Sequence, residues 1–307
     1  MNSKNKATLI GFIAILLWAS IVGLIRGVSE SFGATGGAAL IYTVAAVFLV
    51  FSVGFNKLSK VPPKYLLWGS LLFVSYELCL ALSIGYANTG RQAIEVGMVN
   101  YLWPTFTLMS AILFNKQKAN FLVVPGFLLS MAGICWVLGG DQGLDIASMI
   151  ANVQDNPLSY GLAFSGAVIW AAYCTVTARI AQGHNCVTLF FILVAVVLWV
   201  KYLLMGGGEM DFNLRSIIYL VLAACAMGFG YAAWNVGILH GNVTILAGAS
   251  YFIPVLSAAL AAALLSAPLS FAFWQGAAMV CIGSILCWLA TRSKASAPVA
   301  EKAGESA

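Results

Sequence analysis

Asn100-Tyr101-Leu102-Trp103-Pro104 and Ser250-Tyr251-Phe252-Ile253-Pro254 are two stretches of one pattern, separated by 150 positions in a chain of 307 residues. In each stretch a tyrosine precedes a proline by three positions, and apolar residues continue on both sides. Because proline removes a backbone hydrogen bond inside a helix, the pattern predicts two matched kinks, with Pro104 and Pro254 as hinges. Membrane helices also contain proline without such a role, so a purely structural interpretation stays open.

The composition around these stretches is that of a membrane protein. Apolar residues make up 62% of the chain and charged residues only 8%, at a mean hydropathy of +0.95. Soluble proteins average about 25% charged residues, and a soluble fold of this length could not hide so much apolar surface. The composition excludes a soluble enzyme, a disordered protein and a nucleic-acid binder. It predicts an all-α polytopic membrane protein in contact with the lipid bilayer.

Ten apolar segments are long enough to cross a bilayer, which requires about 20 residues of helix. The connections between them are short, except for residues 140–157, which carry three aspartates. Residues 292–307 are small and polar and are predicted to form a disordered tail. The ten predicted spans are 7–28, 34–54, 65–87, 93–114, 119–139, 158–181, 186–205, 216–239, 243–265 and 270–291.

The distribution of Lys and Arg predicts the orientation, because cytoplasmic connections are enriched in both. With the amino terminus inside, 11 of the 15 basic residues fall on the cytoplasmic side. The other four are Arg26, Arg91, Lys201 and Arg215. Both termini are then cytoplasmic, and residues 140–157 form an extracytoplasmic linker.

Further matches, at offsets of 150 or 152, extend the repeat over four pairs of spans. They are Trp18 with Trp170, Ser83 with Asn235, Gly126 with Gly276, and Gly133 with Gly283. Five spans in each half is an odd number, so the second half must enter the membrane from the opposite side. The sequence therefore predicts two inverted five-helix repeats, 1–139 and 158–291, an arrangement typical of secondary transporters.

This ordered set of residues resembles the drug/metabolite transporter superfamily and, within it, the EamA-type ten-helix exporters. The shared features are a tryptophan in the first helix of each half, a proline in the fourth and a G-x6-G spacing in the fifth. Gln117 and Ala267 stand where that family often has glutamate. This departure makes the chain similar to a divergent branch of bacterial amino-acid exporters.

The resemblance implies a secondary transporter that exports aromatic and other amino acids across the bacterial inner membrane by alternating access. We expect no catalysis, no cofactor, no metal and no obligatory protein partner, hence a functional monomer. The sequence contains neither a phosphate-binding loop nor an H-E-x-x-H pair, which argues against ATP hydrolysis and a metal site. The alternatives are an exporter of drugs or other metabolites, a passive pore and a membrane-embedded enzyme.

Polar and aromatic residues away from the span ends are the candidates for a substrate cavity. Asn100 shares a helix face with Pro104, as Ser250 does with Pro254. Small polar residues are also the usual contacts between membrane helices, so packing roles stay open. The candidate cavity residues are Trp18, Tyr76, Glu77, Ser83, Asn100, Tyr101, Trp103, Trp170, Asn235, Ser250 and Tyr251.

Glu77 lies near the middle of span three, where a charged side chain is expensive. It could bind a substrate ammonium, carry a coupling proton or pair with a cation, and a hydrogen-bonded structural role is the alternative. Its counterpart in the second half is Phe229, so the repeat does not predict an acid there. Arg91 and Glu95, four positions apart, are predicted to form an exposed ion pair of little consequence.

Overall fold

The structure of the chain, a computed structural model, describes residues 3–55 and 57–291, and the regular elements in these ranges are all helices. Single turns of 3₁₀ helix lie in two connections, at Leu58–Lys60 and Gly140–Gln142. The α-helices are, in chain order, α1 (Ser3–Phe32), α2 (Ala34–Ser52), α3 (Pro63–Gly85), α4 (Gly90–Asn100), α5 (Trp103–Phe114), α6 (Val123–Leu138), α7 (Ile146–Asp155), α8 (Pro157–Ile180), α9 (Val187–Leu204), α10 (Leu214–His240), α11 (Val243–Ser250), α12 (Ile253–Leu265) and α13 (Phe271–Thr291).

Eight segments within the described ranges are long and apolar enough to cross a membrane. They are α1, α2, α3, the α4–α5 segment, α8, α9, α10 and α13. Helices α6 and α12 are apolar but shorter, with 16 and 13 residues. The fold is therefore an all-helical bundle with eight candidate spans by length, and the count of ten stays a prediction.

The outer surface of the bundle is apolar along most of its helices. Phe51, Phe121 and Leu204 are 86%, 79% and 83% exposed, and many other large apolar side chains are also exposed. Soluble proteins rarely leave wide apolar areas in water, whereas helices with their backbone bonds satisfied internally are suited to lipid. The molecule is a membrane protein.

The most extensive helix packing joins the two halves of the chain. Helix α1 packs along α10, α3 along α8, α2 along α9, and α6 along α13. The partners run antiparallel, as the contacts of α1 show: Gly11 lies against Gly237, and Gly27 lies against Tyr219 near the other end. Neither half therefore has a separate core, and the space at the centre of the bundle is lined by both.

Both quoted stretches are helix breaks. Helix α4 ends at Asn100 and α5 begins at Trp103, while α11 ends at Ser250 and α12 begins at Ile253. Each proline is the second residue of the new helix, where a missing N–H costs nothing because that group has no partner in the helix. The sequence predicts prolines inside continuous, kinked helices. The structure interrupts the helices there, and the hinge role stays a prediction.

Helices α6 and α13 cross at the matched glycines. A Cβ atom on Gly133 would lie 2.7 Å from the carbonyl oxygen of Gly276, and one on Gly126 would lie 2.8 Å from that of Gly283. The contacts are reciprocal, because a Cβ on Gly276 would lie 2.8 Å from the oxygen of Gly133. Any side chain would push the two backbones apart, so the spacing of small residues brings these helices into direct contact.

The connection 140–157, predicted as a loop, contains α7. Asp145 caps this helix by accepting a hydrogen bond from the N–H of Ala147 at 3.0 Å, a role for which Asp is well suited. This helix was not predicted because it is short: its ten residues make less than three turns. The predicted disordered tail, 292–307, lies outside the described residues.

Candidate functional site

A cavity of about 230 Å³ lies between helices of both halves. Its walls come from α1, α3, α4, α5, α8, α10, α11 and α12, and they are mainly apolar with a few polar groups, the usual make-up of a small-molecule site. Beside the aromatic residues, the wall contains Glu77, Asn100 and Ser250. The aromatic residues of the lining are Trp18, Tyr76, Tyr101, Trp103, Trp170, Tyr231 and Trp234.

Trp170 on α8 is the centre of one aromatic cluster. Its ring centroid lies 4.4 Å from that of Tyr76, 4.9 Å from that of Tyr173 and 6.3 Å from that of Trp103. Offset and edge contacts at these distances are favourable for aromatic pairs. The cluster therefore holds the Trp170 ring in a defined position at the cavity wall.

Trp18 on α1, the counterpart of Trp170, is the centre of a second cluster. Its ring centroid lies 5.2 Å from that of Tyr231 and 5.3 Å from that of Trp234, both on α10. A Cβ atom on Gly230 would lie 2.6 Å from the indole Nε1 of Trp18. Gly230 thus leaves the space in which the Trp18 ring lies. Each of the matched tryptophans therefore packs against aromatic residues of the other half of the chain.

Glu77 is fully buried and held by two tyrosines. Tyr42 donates to Oε2 at 2.6 Å, and Tyr231 donates to Oε1 at 2.8 Å. These three residues come from α2, α3 and α10. Both carboxylate oxygens therefore have a donor, which compensates for part of the cost of removing the group from water. Glu77 contributes to the cavity wall but its own surface is not accessible to solvent.

The two residues at the helix breaks differ in their hydrogen bonding. Ser250 donates to the carbonyl of Ala247 at 2.8 Å. Asn100 is buried, and its Oδ1 has no hydrogen-bond partner among the described residues. Buried polar atoms are nearly always paired, but the Oδ1 of Asn100 is the polar atom of this wall that lacks a partner in the part of the chain that the structure describes.

Eight of the eleven predicted cavity residues lie together around the cavity. Three do not line it. Ser83 is buried and donates to the carbonyl of Leu80 at 2.9 Å, Tyr251 packs against Trp288 with ring centroids 6.0 Å apart, and Asn235 lies on α10 outside the lining. The eight are Trp18, Tyr76, Glu77, Asn100, Tyr101, Trp103, Trp170 and Ser250.

Tyr231 and Trp234 are cavity residues that sequence reasoning missed. The repeat pairs them with Cys79 and Leu82, so a search for matched aromatic residues passes over them. A signal was present, because two aromatic residues three positions apart in the middle of an apolar helix share one face. That face is the one that α10 turns toward Trp18.

A second cavity, polar and about 480 Å³ in volume, lies where α4 begins and where the connection 140–142 meets α7 and α8. Glu95 is 5% exposed there and accepts hydrogen bonds from Arg91 at 3.2 Å and Tyr160 at 2.8 Å. Arg91 also donates to Asp141 at 2.7 Å, and this guanidinium, with the hydroxyl of Ser270, lowers the pKa of Asp141. The predicted ion pair exists, but the expectation that it is exposed is wrong for Glu95.

The described residues contain no group of three or more His, Cys, Asp or Glu side chains that could hold a metal ion. The seven cysteines are free thiols, of which only Cys174 borders the aromatic cavity. The cavity lining offers aromatic faces and a few polar groups for binding.

A bundle of apolar helices that encloses a small-molecule cavity between its halves has the architecture of a membrane transporter. A model of the EamA-like transporter family matches residues 157–289. The chain is 63% identical over 290 residues to an Escherichia coli (strain K12) protein named aromatic amino acid exporter YddG, covering 94% of this chain and 99% of that protein.

Two further relatives carry the same name. The one from Salmonella typhimurium is 61% identical over 292 residues, covering 95% of this chain and 100% of the relative. The one from Ancylobacter novellus is 27% identical over 272 residues, covering 84% and 88%. A solved crystal structure also aligns with a TM-score of 0.66 at 25% identity, covering 94% of this chain and 98% of that one.

The chain belongs to the EamA-like transporter family. The resemblance drawn from the sequence is confirmed, and the protein is a transporter rather than an enzyme.

Proposed function

We propose that this chain is a secondary transporter that exports aromatic and other amino acids across the bacterial inner membrane by alternating access. The observation that carries the proposal is the pair of aromatic clusters around Trp18 and Trp170, which border one cavity and each contain residues of both halves of the chain. Aromatic faces suit the side chains of Phe, Tyr and Trp. The relatives named aromatic amino acid exporters support the same substrate class.

The proposal includes ten crossings arranged as two inverted five-helix repeats. The antiparallel course of α6 and α13 supports inversion, because these helices are counterparts in the repeat and meet at Gly133 and Gly276. Packing between halves also repeats: α1 packs on α10 as α8 packs on α3, and α1 on α12 as α8 on α5. In the repeat α1 corresponds to α8, α10 to α3 and α12 to α5, so each contact in these pairs is the counterpart of the other.

We place both termini in the cytoplasm. Lys57, Lys60, Lys116 and Lys118 are exposed at one end of the bundle, which we call the basic end. The other end carries the connection 140–156 with its aspartates, and we call it the acidic end. An excess of Lys on the cytoplasmic side supports the basic end as the inner one. Because a single chain encloses the cavity, we also propose a functional monomer.

The test is uptake of labelled amino acids by proteoliposomes that contain the purified protein. The panel is Phe, Trp, Thr, Met, Lys and Glu, with and without a pH gradient. We expect saturable uptake of Phe and Trp that unlabelled substrate inhibits and that counterflow accelerates. Dependence on the pH gradient would identify proton coupling.

Other outcomes identify the alternatives. Flux that neither saturates nor shows counterflow would indicate a passive pore. Absence of uptake for every member of the panel would withdraw the amino-acid assignment, and drugs or other metabolites would be tested next. Liposomes that contain protein inactivated by heat are the control for leakage.

A further inference from the structure

The two helix breaks bring helix ends to the cavity. Asn100 at the end of α4 and Ser250 at the end of α11 line it, as do Trp103 and Ile253 at the starts of α5 and α12. Apart from that of Asn100, the carbonyls in the last turn of α4 accept from the N–H groups that follow the helix, and the helix dipole places a partial negative charge at this end. Pro104 adds to this, because it has no N–H for the carbonyl of Asn100 four positions earlier. The end of α4 therefore favours a positively charged group.

The side chain of Asn100 indicates the same ligand chemistry. Asn100 is 3% exposed and its amide hydrogen-bonds with the hydroxyl of Tyr76, but its Oδ1 has no partner within the described part of the chain. Glu77 differs, since both of its carboxylate oxygens accept from tyrosine hydroxyls. Ser250 also differs, because its hydroxyl donates to Ala247. Leaving a buried acceptor unpaired is costly, so Oδ1 of Asn100 is the acceptor that this wall leaves for a ligand.

We propose that Asn100 determines the specificity of the transporter for an amino group: its Oδ1 accepts a hydrogen bond from the ammonium of the substrate beside the negative end of α4. This inference rests on the proposed transport of amino acids. It assigns the contact with the substrate ammonium to Asn100, whereas the sequence analysis considered Glu77 for that role. Trp103 and Trp170 line the same cavity as Asn100, so a head group at Asn100 leaves aromatic residues of the lining for the substrate side chain.

The experiment measures ligand-induced thermal stabilisation of the purified protein, which reports binding independently of transport. The probes are L-phenylalanine, phenethylamine (which lacks the carboxylate) and 3-phenylpropionate (which lacks the amino group). We expect the wild type to bind the two amines more tightly than 3-phenylpropionate. In Asn100→Ala the affinity for both amines falls about 10- to 100-fold, the range for a hydrogen bond to a charged group, while 3-phenylpropionate binds as before.

Two further variants complete the test. Asn235→Ala removes an amide from α10 that does not line the cavity and is expected to keep the preference for amines. Asn100→Asp retains an acceptor and is expected to keep or strengthen that preference, which covers the case in which Asn100→Ala does not fold. Loss of the preference in Asn100→Asp, or an equal loss of all three ligands in Asn100→Ala, would overturn the assignment.

Failure of this inference can be told from failure of the proposed function. A wild type that transports phenylalanine, together with an Asn100→Ala variant whose preference for amines is unchanged, removes the role of Asn100 and leaves amino-acid transport standing. A wild type that neither binds nor transports phenylalanine overturns both.

Discussion

Helices α4 and α11 precede the two breaks at matched positions, but their surroundings are different. From Gln92 to Asn100 all residues of α4 are buried, and the helix packs against α1, α3, α6, α8 and α12. In α11, Leu246 is the only residue with a described side chain that is buried. This helix packs against α1 and α10 and, among the described residues, has no comparable contact with α5, α8 or α13.

Charged side chains add to the difference. Near its beginning α4 carries Arg91 and Glu95, which bond to each other and to Asp141 and Tyr160 of the following segments. At the offset of 150, the corresponding positions in the second half are Gly241 and Ile245, which cannot form such bonds. These bonds of Arg91 and Glu95 form a polar anchor at the acidic end, and no equivalent is found at the basic end among the residues that the structure describes.

The comparison shows that two helices with similar sequence patterns can differ in how closely they are packed by their neighbours. In an alternating-access cycle the two halves exchange environments, so unequal packing corresponds to one of the two end states. Under the proposed function, this structure is the state that is packed closed at the acidic end, through α4, α1 and α12. The anchor formed by Arg91 and Glu95 favours that state, because the matched positions of the second half are Gly241 and Ile245.

The largest effect is expected from a covalent lock at the closed end. A Cβ atom on Gly90, at the start of α4, would lie 3.8 Å from the Cβ of Ala267, just after α12. This separation is the mean value for disulfides. We expect oxidised Gly90→Cys/Ala267→Cys to lose nearly all transport, because the acidic end can no longer open, and to recover when a reductant is added. Proteoliposome uptake before and after reduction measures it.

Each single variant is the matched control for this lock, since all three proteins contain the same native cysteines. Formation of the disulfide is checked by the mobility of the protein on a non-reducing gel. A double variant that is fully cross-linked and still transports at the rate of the single variants would show that the acidic end does not open during the cycle.

An intermediate effect is expected from the matched tryptophans. We expect Trp18→Ala and Trp170→Ala each to lower substrate affinity roughly 3- to 10-fold, because each removes an aromatic contact of the kind measured in pair interactions. Competition by unlabelled phenylalanine in the uptake assay measures the affinities. Trp68→Ala is the control, since this tryptophan is 50% exposed on the outer surface of α3. Unchanged affinity in both cavity variants would contradict the cavity as the substrate site.

Much of the fold could be predicted from the sequence, because membrane helices are recognisable as long apolar segments. The positions of both helix breaks follow from Pro104 and Pro254, although the sequence suggested kinks where the structure has interruptions. The matched glycines marked the repeat in the sequence, and in the structure they lie at the crossing of α6 and α13, where close backbone contact tolerates few other residues.

The cavity could be predicted less completely, because matched positions are not always equivalent in space. Ser83 matches Asn235 in the repeat, but its backbone carbonyl accepts from the hydroxyl of Ser159 at 2.8 Å, at a point where α3 and α8 pack together. Tyr231 and Trp234 were missed because their counterparts are not aromatic. Matched residues in the two halves predict that the halves share one arrangement of helices. Which residues line the cavity depends on the helix face that each half turns toward the cavity.

The smallest effect is expected from Asp141, whose side chain is 61% exposed beside Arg91. Arg91 lowers the pKa of Asp141, so the contact contributes fully above the ordinary aspartate value of about 4 and is lost as the pH falls through the lowered value. Asp141→Asn should therefore lower Tm at pH 7 by about 2 °C or less, as for other exposed pairs. The difference in Tm from wild type should disappear below about pH 4.

Glu209→Gln is the control, because Glu209 lies in an exposed segment between α9 and α10. This variant removes the same charge away from α4 and should leave Tm unchanged. A difference in Tm that persists in acid would show that Asp141 acts through something other than its charge, and the anchor at the acidic end would then rest on Arg91, Glu95 and Tyr160 alone.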